Sequence, residues 1–535
     1  MSKKTNTTTQ TTANVHSSKI DVGFTISEKQ AIIATALVAI GYYLFSLRSS
    51  GFYQQDEAAH YLSMRNFWQD PNSILSNWAK LGYKLIYAVP SLLGHQFVAF
   101  FNCVVAGLAG YFAYKVAEIK KINNPFLAFV LVATQPMWLQ LTFRNYSELL
   151  SSLLFILVVF FYYRKNMVAA ALSLSYMVII RQELYPLLLV AGVFLLVKKQ
   201  FIPALCLAVF PLFHNTWGWA VSGDPLYLLH DIFGQSKDTA DAWPRQGGEH
   251  YFLMSIAVFG GVVTTLVLIY FGMALQRTIV LDWIIVVPAL LYFAAHTAFN
   301  IQSVKIGPST GGNLRYMIVI TPLLAVLATE VVAKIKDANK TIVGVIVALW
   351  AFVVGVFMSY KHNNVLFTDE SDYTAFLAVI VTGAILFLPL SQKQYFYTIC
   401  AISVLFLPML IQPIKLSDED KLVKQVVEWS KTNQMAEKRP FVASHTMFYY
   451  FYDKNPAEFE NNITKSSASI FEKTVIEAPK GTIIFWDSHY GYRPNRYKES
   501  LSYEYFTKQP SNYRLIQQFI TPQKSFAVLV FEKIN

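Results

Sequence analysis

The chain has 535 residues, of which 54% are hydrophobic and only 14% charged. The apolar residues gather into many runs of membrane-span length separated by short polar links, which excludes a soluble globule. The formal net charge of +11 sits mostly in those links, where basic residues set orientation rather than attract nucleic acid.

Residues 1–27 read as a disordered cytoplasmic tail. Up to about Val22 the segment is rich in Thr, Asn, Ser and Lys, and it lacks the apolar core and cleavage site of a secretory signal. Lys3, Lys4, Lys19 and Lys29 precede the first span, Gln30 to Leu47, and place the N-terminus inside. Directly after that span comes Gly51-Phe52-Tyr53-Gln54-Gln55-Asp56-Glu57-Ala58-Ala59-His60-Tyr61. A carboxylate costs about 2.5–3.5 kcal/mol at a bilayer centre, so this pair belongs at a water-facing span end or in a polar cavity. On a helix Asp56 and Glu57 point about 100° apart, so one of them faces such a cavity more directly. His60 lies four residues from Asp56 and shares its face. Asn66 to Gly94 reads as two interfacial helices broken at Asp70-Pro71, with Trp68 and Trp78 suited to the headgroup zone.

Further spans are expected at 96–114, 125–142, 147–163, 167–180, 184–197, 202–219, 251–272, 280–297, 314–333, 341–360, 373–390 and 395–413, about 13 with the first. Assigned alternately, the inner links collect Lys115, Lys120, Lys121, Arg164, Lys165, Lys198 and Lys199, whereas the outer links hold mostly single basic residues. Residues 28–413 therefore read as a membrane domain and 414–535 as a small outer α/β domain. In that domain Ser417 to Asn433 is an amphipathic helix, and Phe441–Ala443, Gly481–Trp486 and Ser525–Phe531 are strands. Cys103, Cys206 and Cys400 lie in apolar runs and read as packing residues.

The unusual polar motifs fall on the outer side. They are Asp56-Glu57, Arg144-Asn145-Tyr146-Ser147-Glu148, Arg181-Gln182-Glu183, the loop from Gly223 through Trp243-Pro244-Arg245, and Ser309-Thr310-Gly311-Gly312-Asn313-Leu314-Arg315-Tyr316. Acids and arginines converging at span ends can form one polar cavity. The guanidinium fork matches phosphate oxygens. Glu148 and Glu183 are candidate partners for Arg144 and Arg181. Gly311 and Gly312 would let backbone approach a ligand closely, and Trp243 with Arg245 could hold sugar and phosphate.

This layout resembles the GT-C superfamily of membrane glycosyltransferases, in the bacterial versions of its aminoarabinose, protein-O-mannosyl and lipid-linked mannosyl branches. The resemblance rests on the acidic pair in a long first outer loop, the interfacial helices there, Arg-x-Tyr after the third span and Arg-x-Glu near the sixth. It implies transfer of a sugar from a polyprenyl-phosphate carrier to a glycolipid, glycan or protein hydroxyl, with Asp56 as the catalytic base or acceptor-orienting group and Glu57 beside it. His60, Arg144, Tyr146, Arg181, Glu183, Trp243, Arg245, Arg315 and Tyr316 are the expected substrate-binding residues, and neither metal nor cofactor is expected. Phe485-Trp486-Asp487-Ser488-His489-Tyr490-Gly491 partly matches the Trp-Trp-Asp motif of oligosaccharyltransferases, which leaves that activity as one alternative. A lipid-linked-sugar flippase is another. It would place polar groups at the bilayer midplane in repeated halves, and no internal repeat is visible.

Overall fold

A computed structural model describes residues 23–49, 55–76, 80–239, 243–304, 311–359, 374–407, 414–464 and 469–535. The tail up to Val22, Gly51–Gln54, Trp78, Ser309-Thr310 and the end of the last expected span, 408–413, lie outside the described residues. The membrane part is helical. Six described helices are long and apolar enough to cross a bilayer: Glu28–Ser46, His95–Ile119, Phe201–Ser222, His250–Leu275, Leu314–Asp337 and Lys340–Met358. Shorter apolar helices run over Glu148–Tyr163, Met167–Val178, Gln182–Val197, Trp283–Phe299 and Thr374–Phe387.

Where expected spans break, the sequence supplies the cause. The run 125–142 divides into Leu127–Ala133 and Pro136–Leu141. Pro136 has no N–H to continue the first helix and favours the first turn of a new one. Within His250–Leu275 the backbone turns at Gly260, whose φ of 78° only glycine adopts freely. The adjoining Gly261 admits the helix Thr374–Phe387 at close range: a Cβ there would lie 2.7 Å from both the Ala375 carbonyl oxygen and the Ala378 Cβ. Gly261→Val is therefore expected to lower stability by about 1–3 kcal/mol through overpacking, read as an earlier thermal unfolding transition in detergent.

Four helices open the membrane part and place the acidic pair. The first span is α1 (Glu28–Ser46), opened by a capping box of Ser27 and Gln30. The helix α2 covers Gln55–Asn66, α3 covers Leu81–Ser91 and α4 covers His95–Ile119. The acidic pair thus lies in the first turn of α2, where negative charge complements the helix dipole. This helix begins well before the interfacial stretch expected from Asn66, while the break at Asp70-Pro71 is present and becomes a short 3₁₀ turn over Pro71–Ile74. The indole of Trp68 donates to the Ala88 carbonyl at 3.0 Å, tying the turn after α2 to α3.

Residues from Ile414 onward carry a four-stranded sheet: β1 (Phe441–Ala443), β2 (Ile483–Asp487), β3 (Tyr513–Ile520) and β4 (Ala527–Lys533), in the order β1-β2-β4-β3. Only β1 and β2 are parallel. Both faces are covered, so alternate residues of β2 enter different cores. Ile483 and Phe485 pack with Leu422, Val426 and Val427 of the helix Asp418–Thr432, and Ile484 and Trp486 pack with Phe506 and Phe531. The strand β3 escaped the sequence reading because Arg514, Gln517 and Gln518 interrupt its apolar residues, as suits an edge strand with a bulge between Leu515 and Gln517.

The sheet domain grips α2 at both ends. Gln55 Nε2 donates to Glu419 Oε1 at 2.5 Å. Toward the other end of the helix, Tyr61 donates to Asp453 at 2.6 Å, and Arg65 pairs with Asp453 at 3.2 Å and Glu458 at 3.1 Å.

Candidate active site

The two acids of α2 have opposite environments. The Asp56 side chain is 53% exposed and lies 3.8 Å from an Arg315 nitrogen. Glu57 is completely buried. Its Oε1 accepts the Asn145 backbone N–H at 3.1 Å, and its carbonyl accepts the Asn145 side chain at 2.9 Å. Tyr83 completes this brace by donating to Asn145 Oδ1 at 2.6 Å. The 100° offset of neighbouring helical residues thus leaves one carboxylate half-exposed and turns the other into the protein. Glu57→Ala would leave the buried Asn145 N–H without this acceptor, an expected loss of about 1–3 kcal/mol. Glu57→Gln keeps an acceptor oxygen and is expected to retain most of the stability, a contrast measurable by thermal unfolding of both variants.

Behind Asp56 stands a lattice of buried charges. Glu148 begins the helix Glu148–Tyr163, and its Oε1 lies 2.7 Å from Arg181 and 3.4 Å from Arg315. Arg181 also pairs with Glu183, whose Oε1 is 3.6 Å from His296. The Arg315 guanidinium lies 4.1 Å above the Tyr146 ring, and that of Arg181 lies 4.8 Å above the Tyr316 ring. Tyr316 is stacked on its other neighbour, His296, with centroids 5.3 Å apart. Single arginines here would face a heavy desolvation penalty, and shared carboxylates and aromatic faces offset it. The expected pairing of Arg181 with Glu183 is present. Glu148, expected with Arg144, instead serves Arg181 and Arg315. Arg144 is buried, and its carbonyl oxygen accepts from Asn102.

Other expected residues make different contacts. His60 is buried rather than exposed like Asp56, and its Nδ1 is 3.0 Å from Lys84 Nζ. Arg245 donates to the Phe299 carbonyl, and Trp243 is exposed. Gly311 and Gly312 have φ of 62° and 70°, but their open sides face protein. A Cβ on Gly312 would sit 2.6 Å from His250 Nε2, so these glycines serve close packing of the turn before Arg315 rather than approach of a ligand. The partial oligosaccharyltransferase motif is likewise internal. Trp486 donates to the Leu501 carbonyl at 2.8 Å, and the buried Asp487 carboxylate accepts the backbone N–H groups of His489, Tyr490 and Gly491. Both side chains are consumed in holding the turn after β2.

Sequence reading passed over Lys84 as a site residue. It is fully buried on α3 and donates to the His60 carbonyl at 3.0 Å. Its only signal is its place among Leu81, Tyr83 and Tyr87, all of them buried. Lys80, at the start of α3, lies in the field of Arg181, Glu148 and Arg315. Arg181 and Arg315, with Lys80 in their field, thus face Asp56, Glu148 and Glu183 in one connected lattice of charges.

A second polar cluster adjoins Gln55. Glu419 Oε1 accepts from His445 Nε2 at 2.9 Å and His489 Nδ1 at 2.8 Å. Burial opposes ionisation of Glu419, but the hydrogen bonds from His445 and His489 outweigh it and hold the carboxyl well below the ordinary range. The same carboxylate raises the pKa of His489 above its usual value.

These features define a polytopic helical membrane protein with a small C-terminal sheet. Among solved structures, the chain is similar to ArnT from Cupriavidus metallidurans bound to undecaprenyl phosphate, with a TM-score of 0.54 at 12% identity over 94% of this chain and 98% of that one. The apo state of the same ArnT matches with a TM-score of 0.53 at 11% identity and the same coverage. No family model and no curated protein matches the chain.

Proposed function

We propose that the chain is an integral-membrane glycosyltransferase that moves a sugar, a hexose or a mannose-like one, from a polyprenyl-phosphate carrier to a hydroxyl of a glycolipid, glycan or protein on the outer face of the membrane. One observation carries this reading: a half-exposed carboxylate, Asp56, stands beside the Arg315 guanidinium, which Glu148 and Tyr146 hold in place. The ArnT likeness supports it, since that protein was solved with undecaprenyl phosphate. In the proposed step, Asp56 accepts the proton of the acceptor hydroxyl while its oxygen attacks the anomeric carbon. The bond from that carbon to the phosphate oxygen breaks, its electron pair stays on the phosphate, and Arg315 meets the charge that develops. Inversion at the anomeric carbon follows from the family resemblance.

The orientation belongs to the same proposal. Lys115, Lys120 and Lys121 cluster at the end of α4, whose start lies near the sheet domain through His95 and Tyr450, 5.2 Å apart. The positive-inside rule puts the lysine end in the cytoplasm and both Asp56 and the sheet domain outside. Mass spectrometry of glycolipids and glycoproteins from a deletion strain tests the function. One hexose-bearing product should disappear, return with the wild-type gene and stay absent with Asp56→Asn; an unchanged profile would count against the reading.

A further inference from the structure

We propose that Glu419, His445 and His489 form a divalent-cation site of the zinc type, set against the start of the helix that carries Asp56. The three residues come from separate segments: the first turn of the helix Asp418–Thr432, the residue that caps Thr446–Tyr452 just beyond β1, and the turn after β2. Parallel pairing of β1 with β2 brings the two histidines to the same end of the sheet, beyond the C-terminal ends of both strands, with ring centroids 6.5 Å apart. The Asp487 carboxylate fixes the second of them by accepting the His489 backbone N–H at 3.0 Å. One ligand atom from each residue lies within 4.8 Å of the others.

The donor set decides the kind of ion. Two imidazoles and one carboxylate favour zinc or a similar transition metal over magnesium or calcium, which take oxygen ligands. Three protein ligands leave a fourth position for water. The half-exposed His489 gives that side access to solvent, and His445 closes the other, being almost wholly buried. Contacts of 2.8 and 2.9 Å would open slightly around an ion with bonds of about 2.0–2.2 Å.

A proton-bridged cluster is the competing arrangement. His445 Nδ1 accepts the Met447 backbone N–H at 3.2 Å, which in a neutral ring puts the proton on Nε2, toward Glu419. A cation at Nε2 would shift the ring's single proton from Nε2 to Nδ1, at the loss of one long cap hydrogen bond. A metal–imidazole bond outweighs such a cap. With Gln55 Nε2 2.5 Å from Glu419 Oε1, the ion would brace the sheet domain against the residue preceding Asp56.

The test uses the full-length protein in detergent, stripped with a chelator and titrated with Zn²⁺ against a chromophoric competitor. One equivalent per chain is expected. Affinity should fall by at least about a hundredfold in Glu419→Gln and in His489→Asn, and stay unchanged in His230→Asn, an exposed histidine paired with Asp224 elsewhere. His489 is half-exposed, so its variant should fold, with circular dichroism as the check. No stoichiometric zinc, or zinc retained equally by both site variants, would overturn the proposal and leave a carboxylate bridged by two imidazoles. Because the readout is metal content, the outcome is independent of whether the chain transfers sugar.

Discussion

Asp56→Asn is expected to lower sugar transfer by about 10²–10⁴-fold, the range typical of a general acid–base group, while expression and membrane insertion stay at wild-type levels. The amide keeps the shape of the carboxylate but cannot take the acceptor's proton. The fold should tolerate the change because the Asp56 side chain is 53% exposed and its contact with Arg315 is a long 3.8 Å. Exposed pairs of that kind contribute at most about 1 kcal/mol. Steady-state turnover with a polyprenyl-phosphate sugar, alongside thermal unfolding, separates the two effects. Near-normal turnover would remove Asp56 from the chemistry and turn attention to Glu57, whose burial and bond to Asn145 argue for a bracing role.

Arg315→Ala is expected to reduce kcat/KM for the donor by about 10²–10³-fold, the range found when one preorganised donor to a developing anion is lost. Arg315→Lys should fall between this and wild type. Lysine keeps a charge but loses the planar fork that reaches Asp56 and Glu148 and lies over Tyr146. The acceptor KM should change little in either variant. Equal, small effects of both substitutions would make Arg315 a structural counter-ion of Glu148, and the phosphate would then be sought at Lys80, Lys84 or Arg181.

Local chemistry made part of this site legible in the sequence. Asp56, Arg181, Glu183, Arg315 and Tyr316 sit at expensive positions beside apolar runs, and such residues announce themselves. The 100° helical offset anticipated that Asp56 and Glu57 face different ways, the first half-exposed and the second buried. The breaks in the spans were harder to place. Gly260 turns the backbone inside one unbroken apolar run, and Leu314–Ile320 is a 3₁₀ segment before the helix Thr321–Lys334. Hydropathy reports burial and not backbone path. Lys84 was hidden because a lysine in an amphipathic interfacial helix ordinarily snorkels to water; only the packing of α3 against α2 shows it enclosed with His60. The Glu419 cluster was invisible for another reason. Its histidines lie 26 and 70 residues away along the chain, and parallel strand pairing, not spacing, brings them together.

The central claim is that Asp56 and Arg315 act together on a polyprenyl-phosphate sugar. Release of polyprenyl phosphate from such a donor by the purified protein in lipid nanodiscs, supplied with an envelope extract as acceptor, tests it most directly. Wild-type protein should release the lipid phosphate only when extract is present, Asp56→Asn should release almost none while still binding the donor, and Arg315→Ala should lose donor use at low donor concentration. Equal release by wild type and Asp56→Asn would contradict the account.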